Sequence, residues 1–186
     1  MGRIFLISDT HYNHSNVIRY CDRPFKDVYE MNKGIINSWN SVVRNDDICY
    51  HLGDFGFGNK EQISGWVRAL NGRIRLILGN HDNHPVKWYL DCGFDRVYDK
   101  SIIVQEKYIL SHCPIEFNSN LGPFKNIHGH VHNATDYLIP TRQRLNVSCE
   151  VLNYIPITIE EAIKRMESVE SVSYTHLRAH ETCADL

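Results

Sequence analysis

The chain has 186 residues, and its 20 Lys and Arg residues against 22 Asp and Glu residues give a net charge of −2. At this length we expect one domain with a sizeable buried core. The near-neutral charge provides no electrostatic reason to expect binding to duplex DNA or to an anionic membrane. The unusual feature is the eleven histidines, because histidine is the commonest metal ligand and titrates near neutral pH.

Short apolar runs alternate with helical stretches along the chain. In chain order they predict a strand at 3–8, a helix at 28–44, a strand at 48–52, a helix at 59–70, a strand at 74–78, a short helix after Pro85, a hairpin at 101–104 and 108–111, strands at 125–128 and 145–149, and a final helix capped by Thr158 and Glu161. Asn59 and Gln62 have the spacing of a capping box. This alternation predicts one α/β domain.

The cysteines and the apolar segments bear on the location of the protein. Ile4–Ile7 is too short for the core of a signal peptide, and no segment is long enough to span a bilayer. The six cysteines include no Cys-x-x-Cys pair, so we expect reduced and mostly buried thiols. These features predict a cytoplasmic protein that does not bind membranes.

The last residues differ from the rest of the chain. Residues 173–182 read SYTHLRAHET, which resembles a translated sequencing adapter fused to an open reading frame. A natural, weakly ordered tail is the alternative. We therefore predict one functional domain over residues 1–171 and assign no function to residues 172–186.

Residue types that can bind metals follow five of the predicted strands. They are Asp9, His11, Asp54, Asn80, His112, His130 and His132. Each motif is weak alone, since Asp-x-His and Gly-Asp occur by chance or in turns and His-x-His is often a surface pair. Together they fall at the carboxyl ends of the strands, which is the edge where α/β sheets bind ligands. Gly53, Gly79 and Gly129 each precede a candidate ligand, where a tight exit from the strand must aim a side chain into a shared site.

These residues resemble the five motif blocks of the calcineurin-like metallophosphoesterase superfamily. The blocks are Asp9-x-His11, Gly53-Asp54, Gly79-Asn80-His81-Asp82, His112 and Gly129-His130-x-His132. The start Asp-Thr-His-aromatic-x-His is similar to that of small bacterial and phage members. The resemblance implies an α/β fold of two facing mixed β-sheets flanked by helices, a four-layer sandwich.

The resemblance also implies a set of roles for the site. One metal ion would be held by Asp9, His11, Asp54 and His132. A second would be held by Asp54, Asn80, His112 and His130, with Asp54 bridging the two. His81 would face the leaving group without binding metal, and the resemblance leaves open which carboxylate orients it.

General chemistry supports these roles. Mixed oxygen and imidazole ligands suit two divalent ions such as Mn, with Fe, Zn or Ni as alternatives. Two cations roughly 3.5–4 Å apart lower the pKa of a bridging water and neutralise phosphoryl oxygens. We therefore predict a metal-bridging hydroxide as the nucleophile and His81 as the general acid. His14 is a candidate contact to the substrate phosphate or a structural residue, while His51, His84 and His128 are expected to pack beside the motifs.

The predicted function is hydrolysis of a small phosphodiester or phosphomonoester, such as a nucleotide derivative. Phe57 and Gly58 replace the acidic residue and Arg of the protein Ser/Thr phosphatase branch, which argues against that branch. The alternatives are a non-catalytic metal-binding scaffold and a nuclease acting on nucleic-acid ends, although Lys and Arg clusters suited to nucleic acid are lacking. Specificity is expected in the loops at 13–14, 55–58 and 119–124. The substrate, the metal pair and the oligomeric state stay open.

Overall fold

A computed structural model of the chain describes residues 2–116 and 122–169. In chain order these residues form β1 (Ile4–Ile7), α1 (Ser15–Tyr20), α2 (Val28–Val42), β2 (Ile48–His51), α3 (Lys60–Ala69), β3 (Arg73–Ile77), α4 (Val86–Asp91), β4 (Arg96–Tyr98), β5 (Ile102–Val104), β6 (Tyr108–Ser111), β7 (Lys125–His128), β8 (Arg144–Asn146), β9 (Ile157–Thr158) and α5 (159–169). The predicted tail at 172–186 and part of the predicted specificity loop at 119–124 lie outside the described residues.

The strands form two mixed sheets. The first has the order β4-β3-β2-β1-β9 and the second β5-β6-β7-β8. In the first sheet β9 runs antiparallel to β1 and the other neighbours are parallel. In the second sheet β5 and β6 form the predicted antiparallel hairpin, and β6, β7 and β8 are parallel. The predicted fold, two mixed sheets flanked by helices, is confirmed.

The end of β1 connects the two sheets. The amide of Ser8 donates to the carbonyl of Val147 at 2.9 Å, and the amide of Cys149 donates to the carbonyl of Ser8 at 2.9 Å. The chain therefore leaves β8 at Asn146 and pairs with Ser8, which is why β8 is shorter than the strand predicted at 145–149. As a result, the carboxyl ends of β1 and β8 lie side by side.

Local signals explain the helices that were predicted. Met31, Ile35 and Trp39 recur four residues apart on α2 and are fully buried, as expected for the inner face of an amphipathic helix. The capping box of Asn59 and Gln62 is present at the start of α3. Sequence periodicity missed α1, β4 and β9, since six-, three- and two-residue elements are too short to show a period.

The cysteine prediction is confirmed for the part of the chain that the structure describes. Cys21, Cys49, Cys92 and Cys149 are buried free thiols, and Cys113 is an exposed one. Each helix in the described ranges is too short or too polar to cross a lipid bilayer.

Candidate metal centre

The seven predicted ligands gather at the carboxyl ends of β1, β2, β3, β6 and β7. They are Asp9, His11, Asp54, Asn80, His112, His130 and His132, and direct contacts link all of them into one cluster. One of these contacts joins distant parts of the chain: the amide of His130 donates to Asp9 Oδ2 at 2.9 Å across 121 positions. The structure therefore brings together the residues that sequence reasoning grouped.

Asp54 lies between two groups of ligand-type atoms. Its Oδ2 is 3.5 Å from Nε2 of His11 and 3.4 Å from Nε2 of His112. Burial raises the pKa of Asp54, but the hydrogen bond and charge of His112 outweigh it and lower that pKa to about 2. Asp54 is thus a carboxylate near neutral pH and can share its charge between both groups.

The first group consists of Asp9, His11 and His132. One ligand atom from each lies within 4.8 Å of the other two, and the rings of His11 and His132 stack with centroids 5.1 Å apart. Burial lowers the pKa of His11 to about 3. The imidazole of His11 is therefore neutral near pH 7, the form that binds a metal ion.

The second group surrounds His112. Its Nε2 is 2.9 Å from Oδ1 of Asn80 and 3.2 Å from Nδ1 of His130. The opposite nitrogen, Nδ1, lies 2.8 Å from the carbonyl of Leu52. The carbonyl of Leu52 and Oδ1 of Asn80 both only accept, so both ring nitrogens of His112 donate. Burial lowers the pKa of His112, but the hydrogen bond to Asp54 and the charges of Asp9 and Asp54 outweigh it and raise that pKa. A metal ion bound at Nε2 would take the place of the proton there.

Two buried polar atoms that lack hydrogen-bond partners in the described part of the chain indicate that a cation fits this cluster. Oδ1 of Asp9 and Nε2 of His11 are buried and have no hydrogen-bond partner among the described residues. Buried polar atoms without partners are costly and uncommon, and a cation between them would satisfy both. The donor set of carboxylate, amide and imidazole groups also suits first-row divalent metals. The residues present therefore fit divalent cations.

Most of the candidate ligands have a strained backbone. Asp9, His11, Asp54, His130 and His132 have φ angles of 60°, 49°, 56°, 73° and 47°. This left-handed region is uncommon for residues other than glycine and costs about 1–3 kcal/mol per residue, so it persists only where the surrounding structure imposes it. Such strain concentrates at functional sites, and here it turns the side chains out of the strand direction toward one another.

Two glycines allow the backbones around the cluster to approach closely. A Cβ at Gly129 would overlap the hydroxyl of Ser8 and the carboxylate of Asp9. A Cβ at Gly79 would overlap the carboxylate of Asp54. Both glycines were predicted to provide a tight exit from the strand; what the structure shows is that the absence of a side chain lets the backbone approach these carboxylates.

The structure shows what Asp82 does, which the sequence left open. Its Oδ2 accepts the amides of Asp54 and Gly79, both at 2.8 Å, and its Oδ1 accepts the amide of Phe55 at 3.1 Å. The carboxylate therefore ties the loop after β3 to the loop after β2. Asp82 positions the segment that carries Asp54 rather than the ring of its neighbour His81.

Sequence reasoning missed a buried ion pair behind His132. Nδ1 of His132 lies 2.9 Å from Oε1 of Glu150, which also accepts from Nη2 of Arg23 at 2.6 Å. Arg23 also donates to the carbonyls of Asp9 and Thr10, at 2.7 and 2.9 Å. Glu150 directly follows the predicted strand at 145–149, as the candidate ligands follow theirs, so the same reasoning could have found it. Arg23 follows no strand and carries no such signal.

This pair fixes the orientation of His132, because Glu150 is held by Arg23 and contacts Nδ1 of the ring. Burial raises the pKa of Glu150, but the hydrogen bond from His132 and the charge of Arg23 outweigh it and lower that pKa to about 2. A carboxylate on Nδ1 holds the ring of a metal ligand in one orientation and directs Nε2 toward the metal.

The remaining histidines lie around the cluster. The amide of His81 donates to Oδ1 of Asp54 at 2.9 Å, and its exposed ring has its centroid 5.5 Å from that of His11. Nδ1 of His14 is 3.4 Å from Nδ1 of His11. His51 and His128 are buried beside the site and contact Thr10 and the carbonyl of Gly129, as their predicted packing roles require.

Two mixed sheets with clustered metal-ligand side chains at their carboxyl edge define a metallophosphoesterase-type fold. The chain belongs to the calcineurin-like phosphoesterase family, whose model matches residues 2–159. The recognition made from the motif blocks is confirmed. The family indicates a phosphoric ester hydrolase that uses divalent metal ions.

The chain is also similar to individual proteins and solved structures. An uncharacterised protein of Methanocaldococcus jannaschii is 40% identical over 174 residues, which cover 90% of this chain and 93% of that protein. The crystal structure of a protein of unknown function from Aquifex aeolicus matches 88% of this chain and 99% of its own, with 30% identity and a TM-score of 0.69. A Pseudomonas putida nuclease matches 70% of this chain and 62% of its own, with 20% identity and a TM-score of 0.49. At that similarity the nuclease does not bear on the substrate.

Proposed function

We propose that the chain hydrolyses a small phosphodiester or phosphomonoester with two divalent metal ions, Mn being the favoured metal. Asp9, His11, Asp54 and His132 would hold one ion, and Asp54, Asn80, His112 and His130 the other. The observation that carries the proposal is the position of Asp54 Oδ2, within 3.5 Å of a nitrogen from each group. Bound cations would neutralise phosphoryl oxygens and supply a water of lowered pKa.

His81 is proposed as the proton donor to the leaving group. Its backbone amide is held by Asp54, so the residue stays beside the ligands, while its ring is exposed to an incoming substrate. An alkoxide is a poor leaving group, and a positioned imidazole that protonates it contributes about 10²–10⁴-fold to the rate. His14 is proposed to contact the substrate, because its ring lies beside His11 at the same opening.

The charge of the chain favours a small substrate over nucleic acid. The net charge is −2, and duplex binding depends on many Lys and Arg contacts to phosphates. Asn80, His81 and His130 are exposed, so a small ester can reach the cluster directly.

Metal binding tests the ligand assignment. Calorimetric titration of the metal-free protein with Mn²⁺ should give close to two ions per chain. Asp54→Asn should weaken binding of both ions, since one oxygen serves both groups. His81→Ala and the matched surface variant Asp46→Asn should bind Mn²⁺ like the wild type. A stoichiometry unaffected by Asp54→Asn would contradict the shared carboxylate.

Hydrolysis tests the role of His81. We would compare methyl 4-nitrophenyl phosphate with methyl phenyl phosphate, because phenolate leaves less readily and needs a proton more. His81→Ala should lower kcat more for the phenyl ester than for the nitrophenyl ester. An equal loss on both esters would contradict the proton-donor role. Metal binding with no hydrolysis of either ester would favour a non-catalytic scaffold.

A further inference from the structure

A cavity adjoins the site on the side of His81. It has a volume of about 210 Å³, and His81 forms part of its wall together with Phe57, Asn83, His84, Trp88 and Tyr89. His81, the proposed proton donor, therefore lies between the metal-ligand cluster, where its amide donates to Asp54, and this cavity.

The wall of the cavity is mostly aromatic. The imidazole of His84 stacks on the indole of Trp88 with centroids 3.9 Å apart and planes 18° apart. Tyr89 meets Trp88 edge-on, with centroids 5.0 Å apart. Phe57 comes from the loop after β2, and its ring centroid is 5.5 Å from that of His81. Flat rings from two separate segments thus surround one small space.

The size and charge of the cavity limit what can enter. Pockets for whole drug-sized ligands measure roughly 300–1,000 Å³, so about 210 Å³ suits a single ring system and not a complete nucleotide. Among the described residues that line it, none carries a carboxylate, an ammonium or a guanidinium group. Among these lining residues the imidazoles of His81 and His84 are the only groups that could pair with an anion, so a phosphate would find no permanent charge there. The cavity suits a neutral, flat group.

Asn83 adds a polar edge to this aromatic wall. Its side chain carries one acceptor oxygen and two donor hydrogens, and the residue is exposed. Such an amide can pair with the ring nitrogens and amino groups of a heteroaromatic ring, whereas a plain phenyl ring has neither.

We propose that this cavity is the leaving-group subsite and takes a neutral heteroaromatic ring, such as a nucleobase, carried by the departing alcohol. The assignment rests on the proposed function, because the role of His81 is what makes this the leaving-group side. The substrate is then a phosphoester in which the alcohol protonated by His81 is a nucleoside.

Binding of the product tests the cavity without any turnover. Adenosine should quench the fluorescence of Trp88 and bind in a saturable way, while ribose and 4-methylphenol should bind much more weakly. Base stacking on an aromatic side chain is worth about 1 kcal/mol or more, so Trp88→Ala and His84→Ala should each weaken adenosine binding about fivefold or more. Calorimetry gives the affinities of variants that lack the indole.

The control for these variants is Tyr29→Ala. Tyr29 is 74% exposed and does not line the cavity, so its variant should bind adenosine like the wild type. Absent binding to the wild type, or equal affinity in Trp88→Ala, would overturn the proposal. Equal binding of 4-methylphenol would overturn the heteroaromatic assignment.

The ratio of the two possible sets of products tests whether the cavity holds the leaving group or the group that stays on phosphorus. Water attack on adenosine 5′-methyl phosphate yields either adenosine and methyl phosphate or AMP and methanol. With adenosine in the leaving-group subsite, the wild type should release mainly adenosine, and Trp88→Ala should shift the products toward AMP. This ratio does not depend on the fraction of folded enzyme.

The two proposals fail in different ways. Release of mainly AMP by the wild type would overturn the leaving-group assignment while leaving the phosphoesterase proposal intact. Hydrolysis of neither bond in the presence of Mn²⁺, together with inert aryl esters, would contradict the proposed function. The binding experiment would then decide by itself whether a heteroaromatic ring occupies the cavity.

Discussion

The ion pair between Arg23 and Glu150 offers a sharp test of the structure, because both side chains are almost fully buried. Their exposed fractions are 0% and 5%, and the contact distance is 2.6 Å. Removing one member of a buried pair leaves an uncompensated charge in the interior and costs about 3–5 kcal/mol. Glu150→Gln keeps the shape of the side chain and removes its charge, so it should lower the free energy of unfolding by about that amount.

Arg23→Met should lower the free energy of unfolding by a similar amount. It leaves Glu150 with one partner, His132, and removes the donors to the carbonyls of Asp9 and Thr10. The double variant Arg23→Met/Glu150→Gln should lose less than the sum of the single losses, because it leaves neither charge uncompensated.

Urea denaturation of the metal-free protein measures these free energies. Removing the metal first is essential, since a bound ligand adds its own stabilisation to the folded state. The surface variant Asp91→Asn, which removes an exposed partner of Lys60 and Lys87, should leave the free energy of unfolding unchanged. A decrease in the free energy of unfolding of less than about 1 kcal/mol in either single variant would refute the reasoning. A loss in the double variant equal to the sum of the two single losses would also refute it. Glu150→Gln should also weaken Mn²⁺ binding about 10–100-fold, because His132 loses the carboxylate that orients it.

Four further predictions concern other parts of the chain. Gly129→Ala should lower both the melting temperature and the Mn²⁺ affinity, because its Cβ would displace Asp9. Gly65→Ala, in the open interior of α3, should instead stabilise by about 0.5–1 kcal/mol in the same thermal melts. Burial raises the pKa of Asp47, but hydrogen bonds from Arg44 and Arg3 outweigh it and lower that pKa. The folded state then binds fewer protons than the unfolded state, so stability is lost as the pH falls below about 5. Asp47→Asn should show a smaller loss in urea melts at decreasing pH, and an unchanged pH profile would contradict this. A chain ending at residue 171 should keep the melting temperature and Mn²⁺ affinity of the full chain, and a drop in either would show that residues 172–186 belong to the working domain.

The strands that carry the candidate ligands were predictable from sequence for a physical reason. β1, β2 and β3 are short, mainly apolar segments that end in polar residues, so both their existence and their carboxyl ends are visible without a structure. β7 has only one apolar residue, Ile127, and its clearest signal is the Gly129-His130 motif that follows it. The hairpin β5–β6 was equally readable, because its two strands are adjacent in sequence. Elements of two or three residues, such as β9 and β4, depend on pairing with β1 and β3, and no local pattern encodes that pairing.

The site residues divide in the same way into those that a local pattern reveals and those whose role depends on tertiary contacts. Asp54 and His112 were found because each lies just after a strand, and parallel strands meet at one edge whatever the details of packing. The role of Asp82 was not readable, because it depends on which amides of the neighbouring loop its carboxylate reaches.

By itself, the sequence determined the family, the order of seven of the nine described strands and the residue types at one edge of the sheets. Only the tertiary structure decided what surrounds them. Arg23 and Glu150 are 127 positions apart, and Phe57 meets Trp88 around a cavity that no local pattern signals. Strand periodicity is a local property of the chain, whereas a buried ion pair or an aromatic cavity forms only when distant segments pack together.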